Sequence, residues 1–143
     1  MSNTLTLWQR FESKPLGKWM FSRLVCHKAP YFGSIAPQFV ALGPGRSEVT
    51  LAKRRAVLNH IGTVHAIAMC NLAELAGGTM TDVSIPRTHR WIPKGMRVEY
   101  LAKATTNLVA VATPAASWDD IDAGDHDVRV EVRDTRGELV FLA

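Results

Sequence analysis

One segment constrains the chain more than any other. From Val64 to Ala76 the sequence has no proline or glycine and is apolar on every side apart from His65, Asn71 and Glu74. A helix that is apolar all round is buried at the centre of a domain rather than laid on its surface. With Asn59-His60-Ile61-Gly62-Thr63 before it and Gly77-Gly78 near its end, the pattern predicts a central helix over residues 62–80. Such a helix would place Glu74 inside a core, where an ionised acid is costly unless compensated. A catalytic acid or base calls for that placement. The bland alternative is a structural acid paired with a hidden arginine or with backbone donors.

Helical and strand periods on either side say what would enclose this helix. Residues 1–28 read as two short amphipathic helices, carried by Trp8 and Phe11 and then by Leu16, Trp19, Met20 and Leu24, with Ser13 and Pro15 between them. Pro30 and Pro37 bracket a loop that holds Tyr31 and Phe32. A hairpin follows: Gln38 to Leu42, the turn Gly43-Pro44-Gly45-Arg46, then Ser47 to Lys53. Beyond the central helix the period changes to two. Arg97 to Ala104 alternates, with Val98, Tyr100, Ala102 and Ala104 on one face, and Asn107 to Thr113 is an apolar strand. Trp118 to Gly124 is acidic and loop-like, Asp127 to Arg133 alternates, and a turn at Asp134 to Gly137 leads into Glu138 to Leu142. Four or five antiparallel strands wrapped around one helix bury this pattern economically, an α+β architecture.

A chain of 143 residues with 47% hydrophobic and 21% charged residues can bury a core, and we expect one domain over residues 1–143. No apolar run approaches the ~20 residues that span a bilayer, and Arg10, Glu12, Lys14 and Pro15 break any signal-peptide core. Two cysteines, Cys26 and Cys70, make no disulfide framework and point to a reducing compartment, so the expected location is cytoplasmic. The net charge of +4 would suit nucleic acid or a phosphate-rich small molecule. Zinc-ligand spacing, a basic region with heptads and aromatic RNA-binding strands are all missing, so neither a nucleic-acid partner nor a membrane is expected.

The residues of the central segment resemble those of the hotdog-fold thioesterases. Many of these carry an Asn, a Gly and then a His-Gly-Gly that opens the central helix, with an Asp or Glu nine residues after the His. Asn59, Gly62, His65 and Glu74 fall at those spacings. The chain is also similar to a bacterial hotdog family known only as a domain of unknown function, itself resembling phenylacetic-acid-type thioesterases. It shares that family's N-terminal helices, its Pro-Tyr-Phe (Pro30 to Phe32) and its Asn-His-x-Gly-Thr-Val-His-Ala (Asn59 to Ala66). The resemblance implies a hotdog fold and a thioester substrate carried by coenzyme A or an acyl-carrier protein. Two departures bear on the site: the glycines after the histidine are Ala66 and Ile67, and a hydroxyl residue one turn beyond the carboxylate is Gly78.

Thioester hydrolysis needs a group to attack or activate water, and donors for the oxyanion. The resemblance implies that the Ala66 N–H, at the positive end of the helix, takes the carbonyl oxygen. It implies Glu74 as general base or nucleophile, with Asn59 positioning water or thioester. Ala66 and Glu74 are eight residues apart, ~12 Å along the helix and ~80° around it. They cannot meet at one carbon within a chain, so the site is expected to straddle a two-fold dimer interface. Charged outer faces on the strands around Val98 and Val130 argue mildly against a tetramer, which stays open.

Other residues carry two readings each. His65 caps the helix or packs at the interface, and is a candidate to touch substrate. Ile67 and Gly78 shape the acyl site. Asn71 orients Glu74 or satisfies a backbone group. Arg87 and Arg90, with His89, Lys94 and Trp91, hold coenzyme A phosphates and stack adenine, or form a solvated basic loop. Cys70 reads as an inert core thiol. His60 and His65 lack a third ligand at useful spacing, so neither metal nor cofactor is expected. The competing functions are a non-catalytic acyl or acyl-CoA binding protein and a hotdog dehydratase or hydratase. The latter needs a histidine beside the carboxylate, whereas His65 lies ~180° around the helix from Glu74.

Overall fold

The computed structural model describes residues 2–118 and 121–143, so Asp119 and Asp120 of the expected acidic loop lie outside the described residues. The N-terminal segment breaks near Ser13 and Pro15, as expected, into α1 (Asn3–Phe11) and α2 (Gly17–Lys28). The Ser2 hydroxyl caps α1 by accepting the Leu5 N–H at 3.1 Å. Gly17 permits the tight junction: a Cβ there would sit 1.7 Å from the Phe11 carbonyl oxygen. Two 3-10 turns, Pro30–Ile35 and Arg55–Val57, flank the first hairpin.

Six strands form one antiparallel sheet: β1 (Gln38–Gly43), β2 (Arg46–Leu51), β3 (Glu99–Tyr100), β4 (Leu108–Pro114), β5 (Val128–Asp134) and β6 (Leu139–Leu142). Their order is β1-β2-β4-β5-β6-β3. The central helix, α3 (Ala66–Ser84), lies across one face. Alternation decides that face: Val49 and Leu51 on β2, Leu108, Ala110 and Ala112 on β4, and Val130 and Val132 on β5 are all buried. Alanines at the middle of β4 let α3 come close, and Leu72, Ala73, Leu75, Ala76 and Met80 fill the space between. On the other face of β5, Arg129 and Arg133 bracket Glu131 at 3.0 and 2.8 Å. Hydrogen bonds from Arg133 and then Arg129 hold the Glu131 carboxyl below the usual carboxylate range. In the single chain this face of β5 is charged and open.

α1 and α2 pack over β1. Trp8 meets Phe21 edge-on at 5.1 Å, and Phe21 meets Phe39 at the same distance. The buried Ser22 hydroxyl donates to the Lys18 carbonyl at 2.7 Å and accepts the Phe39 N–H at 2.9 Å. That second bond serves a strand amide beside the β-bulge between Phe39 and Ala41.

Three expectations need correction. First, α3 runs over Ala66–Ser84 rather than 62–80. Gly62 has φ +78°, outside helical space, and the residues before Ala66 form a loop. At the other end, Gly77 and Gly78 stay helical because neighbours pack on them, and Pro86 follows the last turn. Second, α3 is not enclosed all round: Ile67 is 54% exposed, and Cys70 and Glu74 are half-buried. Glu74 therefore lies on an open stripe, not inside the core. Third, the strand expected over residues 97–104 pairs only at Glu99 and Tyr100. Its neighbour β6 is itself four residues long. Past that ladder the chain turns in, and the Ala104 carbonyl accepts the Val64 N–H at 2.9 Å. Tyr100, expected on the core face, is 51% exposed and lies edge-on to Phe141.

Candidate functional site

The start of α3 is built by the loop before it. An antiparallel bridge pairs Leu58 with Val64 and leaves Asn59 to Thr63 as a small closed loop. The Asn59 side chain holds it: Oδ1 accepts the N–H groups of Ile61 and Thr63, both at 3.1 Å, and Nδ2 donates to the Thr63 hydroxyl at 2.8 Å. One Nδ2 hydrogen is left to reach anything else. His65 then caps α3. Its N–H goes to the Val57 carbonyl at 2.8 Å, and its Nδ1 accepts the Ile67 N–H at 3.0 Å. Nδ1 is therefore the unprotonated nitrogen in this arrangement. The neighbouring Ala66 N–H has no acceptor among the described residues, an unsatisfied donor at a helix N-terminus.

Beside this end lies a cleft of about 190 Å³, walled by Ile35, Val57, Ile67 and Ala68 and edged by His65 and Asn71. Asn71 is buried. Its Nδ2 donates to the Ser34 hydroxyl at 3.2 Å, and the Ser34 hydroxyl donates to the Tyr31 carbonyl at 2.7 Å. No hydrogen bond joins Asn71 to Glu74 among the described residues, so Asn71 serves the Pro30–Ile35 turn rather than the carboxylate. Its Oδ1 is buried without a donor.

Glu74 opens onto a second, larger cleft of about 370 Å³ between α3 and the end of α2. The walls are apolar: Val25, Phe32, Leu75, Gly78 and Trp91, with Lys28 and Asp82 among the remaining lining residues. The Glu74 carboxylate has no hydrogen-bond or ion-pair partner among the described residues. Trp91 lies across Gly78, so that a Cβ on Gly78 would stand 3.0 Å from the indole Cη2. This packing joins residues thirteen apart in sequence across an irregular loop, and no periodicity marks it.

The remaining candidates spread along the loop after α3. Arg87 and Arg90 are exposed, and the Arg90 guanidinium donates to the carbonyls of Arg87 and His89 at 3.2 and 3.1 Å. Lys94 pairs with Asp125 at 2.7 Å. The Cys70 thiol lies 3.3 Å from the Tyr100 hydroxyl, on the open stripe rather than in the core. That contact, then burial, pushes the Tyr100 phenol above its usual range. Among the described residues no group of three or more His, Cys, Asp or Glu side chains could hold a metal, and no helix is long and apolar enough to cross a membrane.

Within one chain the structure thus gathers Asn59, His65, Ala66 and Ile67 at the start of α3, and Glu74, Gly78 and Trp91 at a separate cleft. Several solved structures share the arrangement of elements. The structural-genomics crystal structure APC5556 is 51% identical, with 97% of this chain and 91% of that one covered and a TM-score of 0.84. A thioesterase from Haemophilus influenzae is 15% identical, with 83% and 80% covered and a TM-score of 0.72. An asparagine-to-aspartate mutant of the phenylacetic acid degradation protein PaaI from Thermus thermophilus is 22% identical, with 79% and 92% covered and a TM-score of 0.67. No curated protein matches the chain. The last two likenesses carry the fold, which is that of the hotdog thioesterases. The family model "Domain of unknown function (DUF4442)" matches residues 17–143, and the chain belongs to that family.

Proposed function

We propose that this protein is an acyl-CoA thioesterase whose active site is shared between the two subunits of a homodimer. The observation that carries the reading is a pair of unmet groups on α3: the Ala66 N–H without an acceptor and the Glu74 carboxylate without a partner among the described residues. Eight residues of helix hold them ~12 Å apart. A two-fold axis beside the open stripe would bring the Ala66 N–H of one subunit opposite Glu74 of the other. Such a dimer would also cover Ile67, Tyr100 and Leu101, large apolar side chains left exposed on or beside that stripe in the single chain.

In this reading the thioester oxygen accepts the Ala66 N–H, which stabilises the charge that develops there. With Glu74 as base, the carboxylate takes a proton from water and the hydroxide adds to the carbonyl carbon. The tetrahedral intermediate collapses by breaking the C–S bond, and the coenzyme A thiolate leaves and is protonated. With Glu74 as nucleophile, the carboxylate adds to the carbonyl carbon and the C–S bond breaks to expel the thiolate, which is protonated. Water then hydrolyses the resulting mixed anhydride to free the acid and Glu74. Asn59 acts chiefly by shaping the loop that presents the helix end, with one N–H to offer water or thioester. His65 fixes the same end by capping it, and Ile67 narrows the approach. Arg87 and Arg90, both exposed, meet coenzyme A phosphates in this reading, and an acyl-carrier protein is the alternative carrier. The two free thiols, Cys26 and Cys70, fit a cytoplasmic setting.

Thiol release from short, medium, long and aromatic acyl-CoAs tests this. Glu74→Ala should lose about a hundredfold or more in kcat/KM while keeping its fold and dimer. Unchanged turnover in that variant would remove Glu74 from the mechanism. A second reading, a non-catalytic acyl-CoA binding protein, draws on Trp91 filling the space beside Gly78 where related thioesterases place a hydroxyl. Stabilisation by acyl-CoAs without thiol release would favour it.

A further inference from the structure

The larger cleft says more than that an acyl group could enter it. Gly78 lies one turn after Glu74 on the same side of α3, about 6 Å along the helix axis. Trp91 rests on that glycine, with the indole closer than any added side chain would comfortably allow. The cleft that Glu74 opens onto is thus lined by an indole seated one turn away, with Phe32, Val25 and Leu75 among its apolar lining. Trp91 is itself partly exposed and is held by no hydrogen bond among the described residues. An aromatic side chain seated on a bare backbone and lining the cleft is a wall within it.

We infer that Trp91 sets the acyl-length limit of the cleft beside Glu74, and that Gly78 is the seat that lets it stand there. This rests on the thioesterase reading, because it takes Glu74 as the point where the thioester carbon sits. A chain that runs from that carbon along α3 towards the indole follows a helix rise of about 6 Å between Glu74 and Gly78, on the order of five bonds at the reach of an extended backbone. The substrate class is therefore an unbranched apolar acyl group of short to medium length, about six carbons before the wall at that same reach. In this reading Trp91 lines the acyl cleft rather than stacking adenine.

The test is a series of saturated acyl-CoAs of increasing length, compared in wild type, Trp91→Ala and Trp91→Phe. In wild type, kcat/KM should rise with each methylene and then fall once the chain passes the indole. Trp91→Ala should move that limit to longer chains and raise kcat/KM for those just past it by about tenfold. Trp91→Phe should move it less. Gly78→Ala, which pushes the indole off its seat without removing it, should blur the limit in every length that reaches it. An identical length profile in wild type and Trp91→Ala would overturn the inference.

The same series as non-hydrolysable thioether analogues separates the two claims. If nothing is hydrolysed, the thioesterase reading falls. The wall is then judged by binding, in which Trp91→Ala should shift the preferred length and Trp91→Phe should lose much of the ligand-induced tryptophan quenching. Equal length preference in binding, or no binding of any length, would overturn the wall as well.

Discussion

At the β1 edge of the sheet, α1 and α2 bring Trp8 and Phe21 onto Phe39, and Phe39 and Leu42 are both buried. At the β3 edge two residues pair with β6, and Tyr100 and Leu101 face outward with Met96 just before them. Exposed strand edges invite pairing with another chain, and proteins usually cover or blunt them. This chain covers one edge with its own N-terminus and leaves the other short, with Tyr100 and Leu101 exposed. The open stripe of α3 holds Glu74, and its Cys70 contacts Tyr100 of the β3 edge. The open edge and the stripe that holds Glu74 are therefore neighbours, and in the proposed dimer one partner would cover both.

Damage at the covered edge should register as lost stability. Phe21→Ala removes the ring between Trp8 and Phe39, and should cost about 3–5 kcal/mol in denaturant unfolding. A loss below about 1 kcal/mol would mean that the helices only rest on the sheet. Damage at the open edge should register as lost assembly. Leu101→Asp should change the stability of the chain by no more than about 0.5 kcal/mol. In sedimentation it should convert the dimer to monomer, and turnover should fall with it. A dimer that survives would place the interface elsewhere. The smallest effect falls between the two regions, at the start of α3. His65→Ala should cost about 1 kcal/mol through the lost cap, and His65→Asn, which can also accept the Ile67 N–H, should recover most of it. Equal losses in both variants would show that His65 acts by something other than capping.

Much of this comparison was legible in the sequence. Ser13 and Pro15 marked the break between α1 and α2, the Gly43-Pro44-Gly45 turn marked the first hairpin, and the alternation in Val128, Val130 and Val132 marked β5. The errors have a common physical origin. An apolar position buried by the chain and one waiting for a partner look alike, so α3 read as enclosed and Tyr100 read as core. Alternation also cannot say whether a neighbouring strand is long enough to pair, which is why residues 97–104 shrank to Glu99 and Tyr100. Asn59 was singled out by spacing, yet its hydrogen bonds to Ile61 and Thr63 are a matter of loop geometry that spacing does not carry. Trp91 over Gly78 was illegible for the same reason.

The central claim, a site assembled from two subunits, has a direct test in mixed dimers. Ala66→Pro removes the oxyanion donor, and proline is well tolerated at the first position of a helix. Glu74→Ala removes the carboxylate. Each variant alone should be inactive towards a thioester that the wild type hydrolyses. When the two are co-expressed, a mixed dimer joins the intact Ala66 of one subunit to the intact Glu74 of the other. Random pairing should then restore about one quarter of the wild-type sites. No recovery in proven mixed dimers would mean that both groups act within one chain, and the account of a shared site would be wrong.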